Sequence, residues 1–136
     1  MNAIYILPFA AIACWISRFG EAEPDISRTV DQDWTACVEQ YDVKWGDEDC
    51  SQCHSYQDTY KVFLRNKCDA PIDVQCCVQE DNKTWRCFSW YEINPGDTVA
   101  PYACKGTGKY MYWSRKAGDK GSPFPTREEV NRDHPD

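Results

Sequence analysis

The fold of this chain is decided by one central stretch, Ile72-Asp-Val-Gln-Cys-Cys-Val-Gln79. Its residues largely alternate between apolar and polar types, as in a β-strand with one face in the core. The next residues, Glu80-Asp-Asn-Lys83, are typical of a turn. The segment Thr84-Trp-Arg-Cys-Phe-Ser-Trp90 can form the returning strand. The stretch therefore predicts an antiparallel β-hairpin.

Other segments extend this hairpin into a β-rich domain. Residues 60–65 alternate in the same way, and shorter strands are predicted over 98–103 and 109–115. Asn94-Pro-Gly-Asp97 has Pro and Gly at the two centres of a type II turn. Together these segments predict about five strands within 59–115, as in a small antiparallel β-sandwich or a partly open barrel.

Helical patterns flank the predicted strands. Apolar residues recur at helical spacing in Val30, Trp34, Val38 and Tyr41. They predict one N-terminal amphipathic helix over 29–41, and therefore an α+β fold class. Residues 120–136 form a polar, Pro-containing C-terminal tail, in which Thr126-Arg-Glu-Glu129 matches a capping box and predicts one short helix.

The first residues are predicted to be a signal peptide, 1–22. Residues 3–16 are nearly continuously apolar but too few to span a bilayer as a helix. Gly20-Glu-Ala22 suits cleavage after Ala22. The alternative is a bacterial lipoprotein with a lipid anchor at Cys14. Either route predicts a secreted or periplasmic protein with a single disulfide-rich domain over 23–119.

The charge of the chain restricts its partners. Its formal net charge is −7 at pH 7, which repels phosphate backbones, so nucleic acid is not expected as a partner. No segment after the leader is apolar enough to predict a membrane span.

Eight cysteines follow the predicted cleavage site, and an even number in a short exported chain predicts a disulfide framework. They are Cys37, Cys50, Cys53, Cys68, Cys76, Cys77, Cys87 and Cys104. In the hairpin, matching apolar faces favours a two- or four-residue loop and a bridge between Cys76 and Cys87, with Cys77 turned to another partner. A three-residue loop would pair Cys77 with Cys87 instead. If all eight pair, at least one bridge ties the segment before residue 59 to the strands.

One spacing within this set resembles the haem attachment motif of c-type cytochromes, Cys50-Ser-Gln-Cys53-His54. The resemblance covers these five residues. It implies covalently attached haem c, with His54 as one axial ligand and Met111 or His134 as the other. The alternative reading is two structural cysteines followed by a surface histidine, with no cofactor. No other metal site is predicted.

Catalytic motifs are absent from the sequence, so no catalytic residues are assigned and the chain is interpreted as a non-enzymatic protein. The β region is rich in aromatic residues, and its candidates for a binding surface are Phe88, Trp90, Tyr110 and Tyr112. Asn82 begins an N-glycosylation pattern, which matters if the source is eukaryotic.

The sequence therefore predicts an exported, disulfide-rich binding domain, inhibitor-like or acting at an envelope or host surface, with a protein or glycan ligand. The alternatives are a periplasmic haem electron carrier and a small carbohydrate-binding or carbohydrate-active protein.

Overall fold

Antiparallel strands make up most of the described part of the chain. The computed structural model describes residues 32–46, 53 and 57–135, which belong to one unit, 31–136. A 3₁₀ turn (Trp34–Cys37) comes first and one helix, α1 (Arg127–Asp133), comes last. Between them lie β1 (Val38–Trp45), β2 (Tyr60–Asn66), β3 (Ile72–Glu80), β4 (Trp85–Ile93), β5 (Thr98–Val99), β6 (Tyr102–Ala103) and β7 (Gly106–Lys116). The predicted signal peptide, Cys14, Cys50 and His54 lie outside the described residues.

The strands form two sheets. In the β3 sheet, β3 lies between β4 and β7. In the β2 sheet, β2 pairs with β1 on one side and with the short strands β5 and β6 on the other. The core between the sheets includes Tyr60, Val62, Leu64, Ile72, Val74, Cys76 and Val78. The antiparallel, sandwich-like prediction is confirmed, and the described strands do not close into a barrel.

β3 is buried on both of its faces. Val74, Cys76 and Val78 face the β2 sheet, and Cys77 belongs to a second apolar cluster on the opposite face. The polar residues that alternate with the core residues, Asp73, Gln75 and Gln79, are therefore also buried. The predicted strand is confirmed, and its second face is covered by the C-terminal segment.

That C-terminal segment packs against the β3 sheet. Thr126 and Glu129 form the predicted capping box, with both reciprocal hydrogen bonds present. Val130 of α1 is buried against Trp85 and Cys77. Residues 120–136 were interpreted as a polar tail, but Val130 of α1 contributes to this apolar cluster.

The predicted helix over 29–41 is wrong where the structure describes it, from residue 32 onward. The carboxylate of Asp33 accepts the backbone N–H of Thr35 and caps a single 3₁₀ turn, after which the chain enters β1. β1 pairs with β2 from Val38 opposite Asn66 to Trp45 opposite Tyr60, with a bulge between Gln40 and Asp42. A short helix is marginal alone, so the ladder of hydrogen bonds to β2 prevails.

The predicted bridge between Cys76 and Cys87 is also wrong. Cys77 lies opposite Cys87 and is bonded to it, whereas Cys76 lies opposite Phe88. The hairpin loop spans residues 81–83: the Lys83 N–H donates to the Glu80 carbonyl, and Lys83 has a φ of 69°. A turn followed by a left-handed residue is the three-residue loop with a G1 bulge, which shifts the register by one residue.

The other bridges attach the segments before β2 to the strands. Cys37 is bonded to Cys68, just after β2. Cys53 is bonded to Cys104, between β6 and β7. Cys76 is a free thiol buried in the core.

A buried carboxylate joins the three strands of the β3 sheet. Asp73 is 1% exposed. Its Oδ1 accepts the backbone N–H of Glu92 at 3.0 Å, and its Oδ2 accepts Arg115 Nε–H and Gly118 N–H, both at 3.1 Å. These bonds hold the end of β4 and the turn after β7 to the start of β3.

Candidate functional site

The four predicted binding residues lie on the face of the β3 sheet that packs against the β2 sheet. Phe88 and Trp90 are opposite Cys76 and Val74 on β4, while Tyr112 and Tyr110 are opposite Cys76 and Val78 on β7. They therefore occupy the two margins of the sandwich, and all four are half-buried. Tyr110 and Tyr112, two residues apart on β7, lie on the same face of that strand.

At the β4 margin, the aromatic side chains pack on one another. The Phe88 and Trp90 rings stack with centroids 5.8 Å apart, and Tyr102 lies 5.3 Å from Phe88. The Arg86 guanidinium covers both Phe88 and Tyr102 and lies 3.9 Å from the carboxylate of Glu80. These rings contribute to a packed cluster, so little of their surface is left for a ligand.

At the β7 margin, the tyrosine side chains cover the edge of the core. Burial raises the pKa of Tyr110, and the neighbouring Tyr112 and Cys76 raise it further. Burial likewise raises the pKa of Tyr60. Both hydroxyls are therefore neutral at physiological pH, and the Tyr110 hydroxyl lies 3.5 Å from Gln40 Oε1 of β1. This contact links the two sheets at their β1–β7 margin.

The most exposed apolar side chains at this margin belong to β1. Val43 is 40% exposed and Trp45 is 53% exposed. The Trp45 ring lies 4.7 Å from the Tyr60 ring. It also packs on Gly108, where an added Cβ would be 3.2 Å from the indole. The β1 face is defined as Val43 and Trp45. It is an exposed apolar surface whose tryptophan ring is held by its contacts with Tyr60 and Gly108.

Sequence reasoning missed this surface. Residues 38–41 were assigned to the predicted helix, so the alternation of apolar and polar residues in Tyr41-Asp-Val-Lys-Trp45 was not interpreted as a strand. That alternation is the signal that could have found it.

The other exposed aromatic residues stand apart from the β1 face. Tyr41 contacts Phe63 at 5.9 Å and lies under the Arg65 guanidinium at 5.0 Å. Arg65 in turn forms an exposed ion pair with Glu39, on the side of β2 away from the core. Tyr91, 63% exposed, is on β4.

A polar cleft of about 500 Å³ lies beside the 3₁₀ turn. Its carboxylates hold the local backbone: Asp33 accepts from Thr35, and Asp119 accepts from the N–H of Gly121. Arg115, also at the cleft, is bonded to Asp73 and to the carbonyl of Ser122. Its charged groups thus stabilise the turns around it, and we assign no chemistry to the cleft.

The haem alternative conflicts with the sulfur chemistry of Cys53. A thioether bond to haem would need the Cys53 sulfur, which instead forms a disulfide bond with Cys104. Met111, one of the two residues predicted as the second axial ligand, is half-buried on the outer face of the β3 sheet against Cys77 and Val130. Cys50 and His54 lie outside the described residues.

Metal-ligating side chains do not gather in the described part of the chain, where no three His, Cys, Asp or Glu residues form a group that could hold an ion. None of the helices described there has the length and apolar character needed to cross a membrane.

Asn82 lies at the exposed tip of the β3–β4 hairpin. Its side-chain oxygen accepts the Thr84 N–H at 3.0 Å and the Thr84 hydroxyl at 2.6 Å. The glycosylation pattern is therefore on an accessible turn, and its use stays a prediction.

Comparisons of this chain with protein-family models, with curated proteins and with solved structures find no match.

Proposed function

We propose that this protein is an exported, non-enzymatic binding domain that recognises a protein ligand through the β1 face. The observation that carries the proposal is Trp45, which is about half exposed although it is fixed between Tyr60 and Gly108. Aromatic side chains held in this way lose little entropy on binding and are enriched at the centres of protein interfaces.

The free energy that a ligand would gain by covering Trp45 supports the choice of this residue. A tryptophan side chain has about 250 Å² of surface, so a ligand that covers the exposed half removes about 130 Å² from water. At about 25 cal/mol per Å², this contributes about 3 kcal/mol, or about a hundredfold in affinity before ordering costs.

The remaining features support an exported binder. Three disulfides within about 70 residues form and persist in oxidising compartments. The Cys37–Cys68 bridge fixes the start of β1, which limits the ordering that a ligand would have to impose. The net charge of −7 argues against nucleic acid.

The test uses the mature wild-type protein and two variants, immobilised in parallel. Trp45→Ala removes the aromatic centre of the β1 face. Tyr91→Ala is the matched control, because it removes an exposed aromatic side chain from β4 instead. Each protein is screened against a phage-displayed peptide library and a glycan array, and the dissociation constants of the enriched ligands are measured.

We expect the wild-type protein to enrich peptides from the library. Their affinity for the protein should fall roughly 10- to 100-fold in Trp45→Ala and stay unchanged in Tyr91→Ala. Retention of glycans with the same dependence on Trp45 would instead identify the carbohydrate-binding alternative. A wild-type protein that enriches nothing, or ligands that bind Trp45→Ala as well as wild type, would contradict the assignment.

A further inference from the structure

β1 has a second set of binding groups along its main-chain edge. In the described part of the chain, β1 pairs with β2 alone and ends its sheet. The Gly46 N–H donates to the Thr59 carbonyl. Main-chain groups alternate in direction along a strand, so those of Lys44 are directed towards β2, and those of Val43 and Trp45 away from it. Val43 and Trp45 are both exposed, which leaves this edge accessible.

Three of the four outward groups are open. The Val43 carbonyl, the Trp45 N–H and the Trp45 carbonyl have no hydrogen-bond partner among the described residues. The fourth group, the Val43 N–H, donates to Asp42 Oδ1 at 2.9 Å. Unpaired main-chain groups at the edge of a sheet are a template on which an extended chain adds as a further strand. The edge can therefore accept two hydrogen bonds from an added strand and donate one to it.

The side chains of the same two residues lie on one face of β1. Val43 is opposite Val62 and Trp45 is opposite Tyr60, and both partners belong to the core. Successive side chains of a strand alternate between its two faces. Every second side chain of an added strand would therefore lie beside the β1 face, whose exposed apolar surface favours apolar residues at those positions.

The charge at the edge favours a basic ligand. The Asp42 carboxylate lies at the edge because it accepts the Val43 N–H, and it has no cationic partner among the described residues. Nearby, Arg65 is already paired with Glu39, and Lys44 already has an interaction. The chain as a whole has a net charge of −7. An acidic segment would therefore be repelled, and a segment with lysine or arginine between its apolar residues would be attracted.

We propose that the ligand of the β1 face binds as an added strand on the edge of β1, and that it is an extended segment of a partner protein with apolar residues at every second position and basic residues between them. This inference rests on the proposed function, and it adds the conformation and the chemical class of the ligand. Main-chain hydrogen bonds supply affinity, and the side chains beside Val43 and Trp45 supply specificity.

The test uses the peptide that the phage library enriches on the mature wild-type protein with the lowest dissociation constant. It is synthesised in single N-methyl versions, one for each residue, because the methyl group removes the N–H donor and keeps a second strand at a distance. Adjacent positions are matched controls, since the N–H groups of a strand point alternately to its two edges. Hydrogen exchange of the Trp45 amide is measured by NMR with and without saturating peptide.

We expect N-methylation to weaken binding at least about tenfold at every second residue and at most about twofold at the residues between them. Exchange of the Trp45 amide should slow at least about tenfold in the complex. Equal effects at adjacent positions, or an unchanged Trp45 amide, would overturn strand addition and leave recognition through Trp45 standing. A library that yields no peptide would overturn both this inference and the proposed function.

The charge of the ligand is tested by substitution in the protein. Asp42→Asn keeps an oxygen that can accept the Val43 N–H and removes the charge, so the affinity for the peptide should fall about threefold. Asp69→Asn is the matched control, because it makes the same change at the exposed bend between β2 and β3, and it should bind as wild type does. Enrichment of acidic peptides, or equal affinities of Asp42→Asn and wild type, would overturn the assignment of a basic ligand.

Discussion

The buried carboxylate of Asp73 makes the most demanding prediction about stability. It accepts hydrogen bonds from Arg115 and from two backbone N–H groups. The residue is 1% exposed, so water cannot take the place of these donors. In Asp73→Asn, the amide nitrogen must face one of these donors, and the guanidinium of Arg115 loses the carboxylate that neutralises it.

Breaking a buried ion pair on one side costs about 3–5 kcal/mol, because the other charge is left uncompensated. Such a loss is a large part of the total of about 5–15 kcal/mol expected for a domain. Urea unfolding followed by tryptophan fluorescence measures it, with Asp69→Asn as an exposed control that should change the free energy of unfolding by less than about 0.5 kcal/mol. A loss below about 1 kcal/mol in Asp73→Asn would refute the reasoning that these three hydrogen bonds, one of them the ion pair with Arg115, hold β3, β4 and β7 together.

Further outcomes are expected from the core thiol, a close backbone contact and the helix cap. Burial raises the pKa of Cys76 to about 12, so iodoacetamide at pH 8 should label it after unfolding in guanidinium and not before; peptide mass spectra showing labelling in the folded protein would contradict its burial. Gly106→Ala should lower the free energy of unfolding by at least about 2 kcal/mol, because the added Cβ overlaps the Tyr60 Cβ. Gly121→Ala, at an exposed turn, is its control, and equal effects would count against the contact. Thr126→Ala should cost about 1 kcal/mol and Thr126→Ser little, since the hydroxyl caps α1; the same urea assay would disprove this if the alanine variant unfolded like wild type.

The elements with a strong local signal could be predicted from the sequence. β2, β3 and β4 alternate over seven to nine residues and lie where the alternation places them. The turn at Asn94–Asp97 forms with Gly96 at a φ of 83°, and the capping box begins α1. In each case the residues that decide the structure are neighbours in the chain, so the pattern contains the information.

The candidate site could not be found in the same way. Phe88, Trp90 and Tyr110 were chosen because the β region is rich in aromatic residues, but exposure depends on which surfaces the other sheet covers. Trp45 is exposed because β1 ends its sheet. Whether residues 38–41 form a helix or a strand depends on whether β2 is available as a pairing partner. The local spacing of apolar residues contains no information about that partner.

The sequence by itself determined a disulfide-stabilised, antiparallel β protein with a capped C-terminal helix, because alternation, turn residues and capping act over short distances. The tertiary structure decided that β1 is a strand, that Cys77 and not Cys76 bonds to Cys87, and that Trp45 faces solvent. Pairing with β2 made residues 38–45 a strand. The left-handed conformation of Lys83 set the hairpin register that places Cys77 opposite Cys87. The packing of the two sheets left Trp45 facing solvent, because which side chains are buried depends on surfaces that meet only once the chain has folded.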